Sequence, residues 1–134
     1  MSAHSPSDVP AVILDTNALM MPVECDVRVF EELDRLVTDP DLVVPRSVVE
    51  ELDKLADGGG EAGRAASVGR DLVERCRIVE TDADYADDAV VELATDGFDG
   101  YAVTNDRSLR DRLLECGVRV IGIRAGNTLA VTEP

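Results

Sequence analysis

Short apolar runs alternate with amphipathic segments along nearly the whole chain. The apolar runs have the pattern of strands buried on both faces, and they cover residues 9–14, 42–44, 77–80, 101–104 and 118–123. The segments between them repeat apolar residues at helical spacing, which predicts helices over 27–37, 48–57, 62–76, 88–95 and 107–116. Because strands and helices alternate, we expect a three-layer α/β/α domain with a central parallel sheet.

Local signals predict where several helices begin and end. Ser47 and Glu50 have the spacing of a capping box, so we expect Ser47 to cap the helix that follows. A short helix that begins at Ala18 is expected to stop near Pro22, since proline disrupts a helix interior. The three glycines at 58–60 end the capped helix and predict a mobile loop.

The length of 134 residues predicts one domain over 1–134. Residues 1–8 are interpreted as a flexible tail and residues 125–134 as a C-terminal tail. The N-terminus has no cationic stretch followed by an apolar one, so a secretory signal is not expected. No apolar run approaches the roughly 18 residues of a membrane span. These features predict a cytoplasmic protein that does not engage a membrane.

The charge is strongly one-sided, with 28 Asp and Glu against 13 Lys and Arg and a formal net charge of −15. Hydrophobic residues still make up 45% of the chain, which is enough for a packed core. Lys54 is the single lysine. Acidic excess with almost no lysine is typical of haloarchaeal proteins, because concentrated salt screens the repulsion between carboxylates. The alternative interpretation is an acidic protein that binds a basic partner.

Side chains other than carboxylates offer little chemistry. The one histidine, His4, lies in the N-terminal tail, which excludes a Ser-His-Asp triad and a histidine-rich zinc site. Cys25, Cys76 and Cys116 are odd in number and form no CxxC pair, so we expect buried free thiols. Aromatic residues are only 3% of the chain, which argues against broad stacking platforms for single-stranded nucleic acid.

Carboxylates, in contrast, follow four of the predicted strands. The candidates are Asp15, Glu50, Asp87, Asp88 and Asp106. Because parallel strands end at the same edge of a sheet, these acids should meet there. Each acid alone is also explained as a helix cap or a first-turn acid. Together they predict a site for one or two divalent cations, and ligation by carboxylates and water suits Mg²⁺ or Mn²⁺. Such ions hold a phosphodiester and activate water.

Four segments make the sequence resemble the PIN-domain nucleases over nearly its whole length. They read ILDTNALMMP at 13–22, VVPRSVVEELDKLA at 43–56, YADDAVVELA at 85–94 and VTNDRSLRDRL at 103–113. The DTN triplet alone is weak, but the four in this order are together specific. The YADD and TND segments look most like the archaeal and eukaryotic branch linked to ribosomal RNA maturation, and less like the toxin ribonucleases of toxin–antitoxin pairs.

The resemblance implies a parallel sheet of about five strands in the order 3-2-1-4-5, a Mg²⁺ or Mn²⁺ site and cleavage of single-stranded RNA. Asp15, Glu50 and Asp106 match the metal-site acids of the family. The third acid of the pattern is either Asp87 or Asp88. Asp88 lies 18 residues before Asp106, which suits the commoner spacing in the family, and it is favoured here. The resemblance thus gives Asp15, Glu50, Asp88 and Asp106 catalytic roles.

The resemblance also extends to polar residues around the acids. Thr16, Asn17 and Thr104 match small polar positions that would orient them. Asn105 stands at a variable position, and Ser108 replaces an acidic residue of some relatives, which would weaken a second metal site. Arginines are the candidates for binding RNA phosphates, either on a basic patch or merely paired with surrounding acids; they are Arg46, Arg64, Arg70, Arg107, Arg110 and Arg112.

Three other functions are weighed against an RNA-processing nuclease. One is a toxin ribonuclease controlled by an antitoxin protein, and another is a catalytically silent PIN module that binds RNA or protein. The third is a phospho-acceptor receiver domain, which also gathers acids at strand ends. That fold requires a lysine after the last strand, whereas Lys54 is the only lysine here. The partners expected for the nuclease are its RNA substrate, such as a ribosomal RNA precursor, and a second copy in a homodimer.

Overall fold

The computed structural model describes residues 10–95 and 98–134. The tail predicted at 1–8, which contains His4, lies outside the described residues. The strands within the described ranges are β1 (Ala11–Leu14), β2 (Asp41–Pro45), β3 (Arg77–Val79), β4 (Gly100–Val103), β5 (Arg119–Ala125) and β6 (Thr128–Thr132). The helices are α1 (Thr16–Glu24), α2 (Val29–Leu36), α3 (Arg46–Ala56), α4 (Gly60–Val73), α5 (Ala86–Thr95) and α6 (Arg107–Glu115). The predicted alternation of strands and helices is therefore confirmed.

The six strands form one sheet in the order β3-β2-β1-β4-β5-β6. The first five are parallel, and their order confirms the predicted 3-2-1-4-5 arrangement. The central strand β1 pairs with β2 on one side and with β4 on the other, and its residues Val12, Ile13 and Leu14 are fully buried. The direction of winding reverses between β1 and β4. In an open parallel sheet, the crevice at such a switch point is where ligands bind.

The helices cover both faces of the sheet, as right-handed crossovers require. Helices α1, α3 and α4 contact one another, while α5 packs on β1, β2 and β4 and also contacts α6. The core between these layers is almost entirely aliphatic, and its largest buried side chains include Ile13, Leu33, Leu52, Leu113 and Ile121. Aliphatic packing thus fixes the position of the strand ends that carry the acids.

Close approach of β4 to β1 depends on a glycine. A Cβ atom at Gly100 would overlap the carbonyl oxygen of Ala11 on the neighbouring strand. Only glycine therefore allows this register, in which Ala11 lies beside Gly100 and Leu14 beside Val103. That register brings the two carboxyl ends of the strands side by side.

The predicted C-terminal tail at 125–134 is wrong, because β6 lies within it. Strand β6 runs antiparallel to β5 after a short turn at Gly126 and Asn127, and Gly126 adopts a φ of 57°. A glycine and an asparagine between two apolar runs are the sequence signal of such a hairpin. The sheet consequently has six strands instead of about five.

Two predicted helix ends are also corrected. Helix α1 does not stop near Pro22 but continues to Glu24, since tertiary packing of its buried face outweighs the local cost of the proline. Helix α3 begins at Arg46 with Pro45 as its N-cap residue and no side-chain cap, so the capping box of Ser47 and Glu50 is not formed.

Two of the three cysteines differ from expectation as well. All three are free thiols, but Cys25 and Cys116 are exposed and only Cys76 is partly buried. Cys25 and Cys116 are the C-cap residues of α1 and α6, where the chain turns away from the core. Within the described ranges, no helix combines the length and the apolar character that crossing a membrane requires.

Candidate active site

Asp15 is the most buried acid at the carboxyl edge of the sheet, with 2% of its surface exposed. It follows β1 and caps α1, since its Oδ1 accepts a hydrogen bond of 2.6 Å from the Ala18 amide. The Thr104 hydroxyl also donates a hydrogen bond to it. Burial nevertheless raises the pKa of Asp15 to about 7, and the negative charges of Asp87 and Asp106 add to that rise. The site therefore holds a desolvated carboxyl beside two further acids.

Asp106 occupies the equivalent position after β4. It caps α6 by accepting a 2.9 Å hydrogen bond from the Leu109 amide, and its own amide donates to the Thr104 hydroxyl oxygen over 3.0 Å. Thr104 thus bonds to both strand-end acids, so one buried hydroxyl fixes the position of Asp15 relative to Asp106. Asp106 itself is exposed at the surface.

Asp87 is the acid of α5 that joins this group. Partial burial raises the pKa of Asp87, and the charges of Asp106 and Glu51 raise it further. Asp88 instead forms a 2.9 Å ion pair with Arg112 of α6. The structure therefore brings Asp87 to the strand ends and directs Asp88 to an arginine. Spacing along the chain could not show which of the two acids faces the strand ends. Neighbouring residues of a helix point roughly 100° apart, and only packing of the helix fixes their directions.

Glu51 was missed by the sequence analysis, which selected its neighbour Glu50. The charge of Glu51 acts on Asp87 across the contact between α3 and α5. Glu50 is exposed and lines a groove with Arg46 and Glu80. Glu50 was chosen because it lies in the first turn after β2 and matches a metal-site acid of the family, and neither signal separates it from its neighbour. We call Asp15, Glu51, Asp87 and Asp106 the acidic cluster.

The predicted supporting residues take different positions. Asn17 accepts a 2.9 Å hydrogen bond from the Asn105 amide, which ties the start of α1 to the loop between β4 and α6. The Thr16 hydroxyl is buried and has no hydrogen-bond partner among the described residues. Ser108 is exposed in the first turn of α6. Asn17 and Thr104 therefore hold the two strand ends together, while Thr16 leaves a polar atom unused beside Asp15.

The arginines proposed to bind RNA are largely engaged with acids. Arg46 pairs with Glu80 at 3.1 Å and Arg70 with Asp53 at 2.7 Å. Arg110 lies 3.6 Å from its neighbour Asp111. Arg64 and Arg107 are exposed and form no ion pair within the part of the chain that the structure describes. Exposed ion pairs are weak, so these arginines remain available to another anion.

A cavity of about 340 Å³ adjoins the acidic cluster on the side of β5 and β6. Thr104 and Asn105 line the cavity on the side of the cluster, and Arg110 and Arg124 are also among its lining residues. Arg124 was not singled out from the sequence because it lies between the strand predicted at 118–123 and the tail predicted at 125–134. The cavity thus carries two arginines on the side of the sheet that adjoins the acids.

The donor set fits a divalent cation. Among residues 10–95 and 98–134, no three His, Cys, Asp or Glu side chains are already arranged around one point as ligands. The acidic cluster nevertheless supplies carboxylate oxygens only, which are the ligands that Mg²⁺ and Mn²⁺ prefer. The pKa values of Asp15 and Asp87 are raised by burial and by neighbouring acids, and a cation would relieve both effects.

Comparisons with known proteins agree with this fold. A family model described as a PIN like domain matches residues 12–126. Ribonuclease VapC4 of Methanocaldococcus jannaschii is 26% identical over 117 residues, which are 84% of this chain and 89% of that protein. The structure of the PIN domain endonuclease Utp24 matches with a TM-score of 0.75 at 25% identity and covers 92% of each chain.

A more distant structural match is VapBC2 from Rickettsia felis, solved with a DNA fragment from the promoter of its genes. One chain of that complex matches with a TM-score of 0.55 at 14% identity, over 85% of this chain and 99% of that chain. This likeness shows a shared fold alone.

Proposed function

The chain belongs to the PIN-like domain family, and from that premise we propose that it is a divalent-metal-dependent endoribonuclease that hydrolyses single-stranded RNA. One observation carries the proposal. Asp15, Asp87 and Asp106 come from three different parts of the fold and lie close together at the switch point, where the charges of Asp87 and Asp106 raise the pKa of Asp15 and the charge of Asp106 raises that of Asp87. Clustered carboxylates are costly without a counter-ion, so the fold retains them for a ligand that is positively charged.

The chain's own residues would hold such an ion. Asp15 and Asp106 each use one carboxylate oxygen to cap a helix, which fixes the direction of the other. Thr104 and Asn17 keep these two strand ends together. Asp87 and Glu51 approach from α5 and α3 and complete the oxygen-rich set. When bound, Mg²⁺ or Mn²⁺ would polarise the phosphodiester of the substrate and activate a water.

RNA binding by a chain with a net charge of −15 requires a local cationic surface. Arg110 and Arg124, in the cavity beside Thr104, are placed to bind a phosphate next to the acidic cluster. Arg107 begins α6 at the same edge. In concentrated salt, counterion release contributes less to phosphate binding, so ligation of the phosphate by the metal would carry more of the affinity.

Within this activity we propose a role in ribosomal RNA processing in a salt-adapted archaeon. Support for the role comes from the YADD and TND segments, which resemble the branch linked to ribosomal RNA maturation. The likeness to the PIN domain endonuclease Utp24 over 92% of the chain supports the endonuclease activity on which this role depends. The acidic, lysine-poor composition supports adaptation to concentrated salt.

The proposal is tested by incubating the protein with single-stranded and structured RNA in molar KCl, with Mn²⁺, with Mg²⁺ and with chelator. We expect cleavage of single-stranded RNA that needs the metal and generates products without a covalent enzyme intermediate. The Asp15→Asn, Asp106→Asn double variant keeps the shape of both caps and should be inactive. Equal cleavage by this variant and the wild type would overturn the nuclease assignment and leave a silent RNA-binding module.

A toxin ribonuclease is the second candidate, favoured by the identity with ribonuclease VapC4 over most of both chains. The chemistry would be the same, but a small antitoxin protein would bind and inhibit the enzyme. Expression with the neighbouring gene decides between the two roles. Rescue of toxicity by the neighbouring gene product would support the toxin, and cleavage of ribosomal RNA precursor without toxicity would support processing.

A further inference from the structure

A second groove adjoins the acidic cluster on the side opposite the arginine cavity. It has a volume of about 230 Å³ and lies between α3 and the residues that precede α5. Its lining includes Ser47, Glu50, Lys54, Asp84 and Tyr85, together with Glu51 of the acidic cluster. We call it the tyrosine groove. The proposed metal binding and cleavage do not use Lys54 or Tyr85.

Tyr85 is the one exposed aromatic side chain of the protein, with 75% of its surface accessible. The chain has only four aromatic residues. Phe30 is buried, Phe98 packs against the core, and the Tyr101 ring is covered by the Arg119 guanidinium 4.1 Å from its centroid. Tyr85 lines the tyrosine groove together with Glu51, so its open ring stands beside the acidic cluster.

The polar lining of the tyrosine groove restricts what it can bind. Glu50, Glu51 and Asp84 offer carboxylate oxygens, which accept hydrogen bonds and repel a phosphate. Ser47 lines the same groove with only 9% of its surface exposed, and its buried hydroxyl has no hydrogen-bond partner among the described residues. An occupant therefore needs a flat apolar face for Tyr85 and hydrogen-bond donors on its edge.

An unpaired nucleobase meets both requirements, since single-stranded RNA is recognised by stacking bases on aromatic rings and bonding their edges. We propose that the tyrosine groove binds an unpaired base beside the cleaved phosphodiester, with its ring on Tyr85, and prefers bases that carry an exocyclic amino group over uracil. Carboxylates accept hydrogen bonds from such amino groups, as Glu and Asp do from cytosine. Lys54, on the rim, neutralises a phosphate of the same nucleotide. The inference rests on the proposed nuclease function.

The absence of tryptophan gives the inference a direct readout. In a Tyr101→Phe, Asp106→Asn protein, Tyr85 is the only tyrosine and the RNA is not turned over. Short oligocytidylate and oligoadenylate should quench the Tyr85 fluorescence and saturate, because a base stacks on the ring. Oligouridylate should bind more weakly. Fluorescence anisotropy of labelled RNA measures total binding in the same samples.

Two further variants, in the otherwise wild-type protein, separate stacking from shape. Tyr85→Leu should raise KM for single-stranded RNA by about tenfold or more, which is the usual effect of losing one stacked base. Tyr85→Phe keeps the ring and should leave KM near the wild-type value. Both substitutions replace an exposed side chain, so neither should lower the thermal midpoint.

Each outcome decides a different claim. RNA that binds by anisotropy without changing Tyr85 fluorescence, or equal KM values for Tyr85→Leu and wild type, would overturn the stacking site alone. Equal affinity for oligouridylate and oligocytidylate would overturn the base preference. A wild-type protein that binds no RNA would overturn the proposed function together with this inference. Quenching by a Lys- and Arg-rich peptide but by no oligonucleotide would make the groove a protein-docking surface instead.

Discussion

In two regions of this molecule a carboxylate accepts a hydrogen bond from a backbone amide, but its pKa is raised in one region and lowered in the other. At the centre of the sheet, Asp15 accepts a hydrogen bond from the Ala18 amide, and burial raises its pKa to about 7. At the edge, Glu32 of α2 accepts a 2.9 Å hydrogen bond from the Leu129 amide of β6. A 2.8 Å hydrogen bond from Arg35 lowers the pKa of Glu32 below its usual range.

The difference lies in what surrounds each carboxylate. Arg35 also donates to the Leu129 carbonyl, so Glu32 and Arg35 together satisfy the outward backbone groups of an edge strand. Asp15 has no such partner and lies beside Asp87 and Asp106 instead. A carboxylate with a counter-charge stabilises the fold, whereas buried acids that repel one another are kept for a ligand. In so acidic a chain, pairing with arginine rather than the number of acids distinguishes structural from functional carboxylates.

The largest expected effect separates a cluster acid from its ion-paired neighbour. Asp87→Asn removes a charge that faces Asp106 and should lower the rate of RNA cleavage by on the order of 10²–10³, as loss of electrostatic stabilisation usually does. Asp88→Asn breaks only the exposed pair with Arg112 and should leave the rate nearly unchanged. Single-turnover cleavage in Mn²⁺ measures both. A larger loss for Asp88→Asn would restore the spacing-based choice of Asp88.

Stabilisation by a bound metal should also distinguish Asp15 from Glu32. Mn²⁺ at about 100 times its Kd should stabilise the folded protein by about 2.7 kcal/mol, because it binds the folded state only. Differential scanning fluorimetry should show this rise in the thermal midpoint for wild type and for Glu32→Gln. Asp15→Asn should lose most of it. An equal rise in Asp15→Asn would place the metal outside the acidic cluster.

In the metal-free protein, ionisation of Asp15 and ionisation of Glu32 should change the stability of the fold in opposite directions. The folded pKa of Asp15, about 7, lies above its ordinary value of 3.8, so ionisation of Asp15 destabilises the fold as pH rises between these values. The cost is on the order of a few kcal/mol. The pKa of Glu32 is lowered, so Glu32 stabilises the fold at pH values above its ordinary pKa of 4.5. This stabilisation is lost at lower pH.

Thermal midpoints measured in chelator at pH 5 and pH 8 test this reasoning. The midpoint of the wild type should fall between these pH values, and the fall should be smaller in Asp15→Asn, which has no carboxyl to ionise. Glu32→Gln should show the wild-type fall. If Asp15→Asn showed the same fall as the wild type, the raised pKa would have to belong to another group.

The smallest effect is expected at the sheet edge. Glu32→Gln keeps a hydrogen-bond acceptor for Leu129 but weakens the interaction with Arg35, so the thermal midpoint should decrease modestly while the cleavage rate is retained. Asp34→Asn, a substitution on the same helix, serves as the matched control for loss of a charge. A loss of cleavage in Glu32→Gln with an unchanged midpoint would contradict the structural role of this residue.

The sequence predicted most of the fold because its signals are local and repeated. Buried strands such as β1 and amphipathic helices such as α6 are read from hydrophobic spacing, and both lie close to their predicted bounds. It failed where the signal was weak or was outweighed by packing. Strand β6 is five residues long at the edge of the sheet, and α1 continues through Pro22 because its buried face contacts α4.

For the candidate site, the sequence by itself determined the two acids that follow strands directly. Asp15 comes immediately after β1, and Asp106 follows shortly after the end of β4. Their positions at the carboxyl edge therefore follow from the sheet topology. The acids on helices were decided only by the tertiary structure. Asp87 and Asp88, like Glu50 and Glu51, are adjacent pairs, and a step of one residue rotates a side chain by roughly 100° about the helix axis. Whether Asp87 or Asp88 lies near Asp106, and whether Glu50 or Glu51 acts on Asp87, depends on how α3 and α5 pack, and no spacing along the chain contains that rotation.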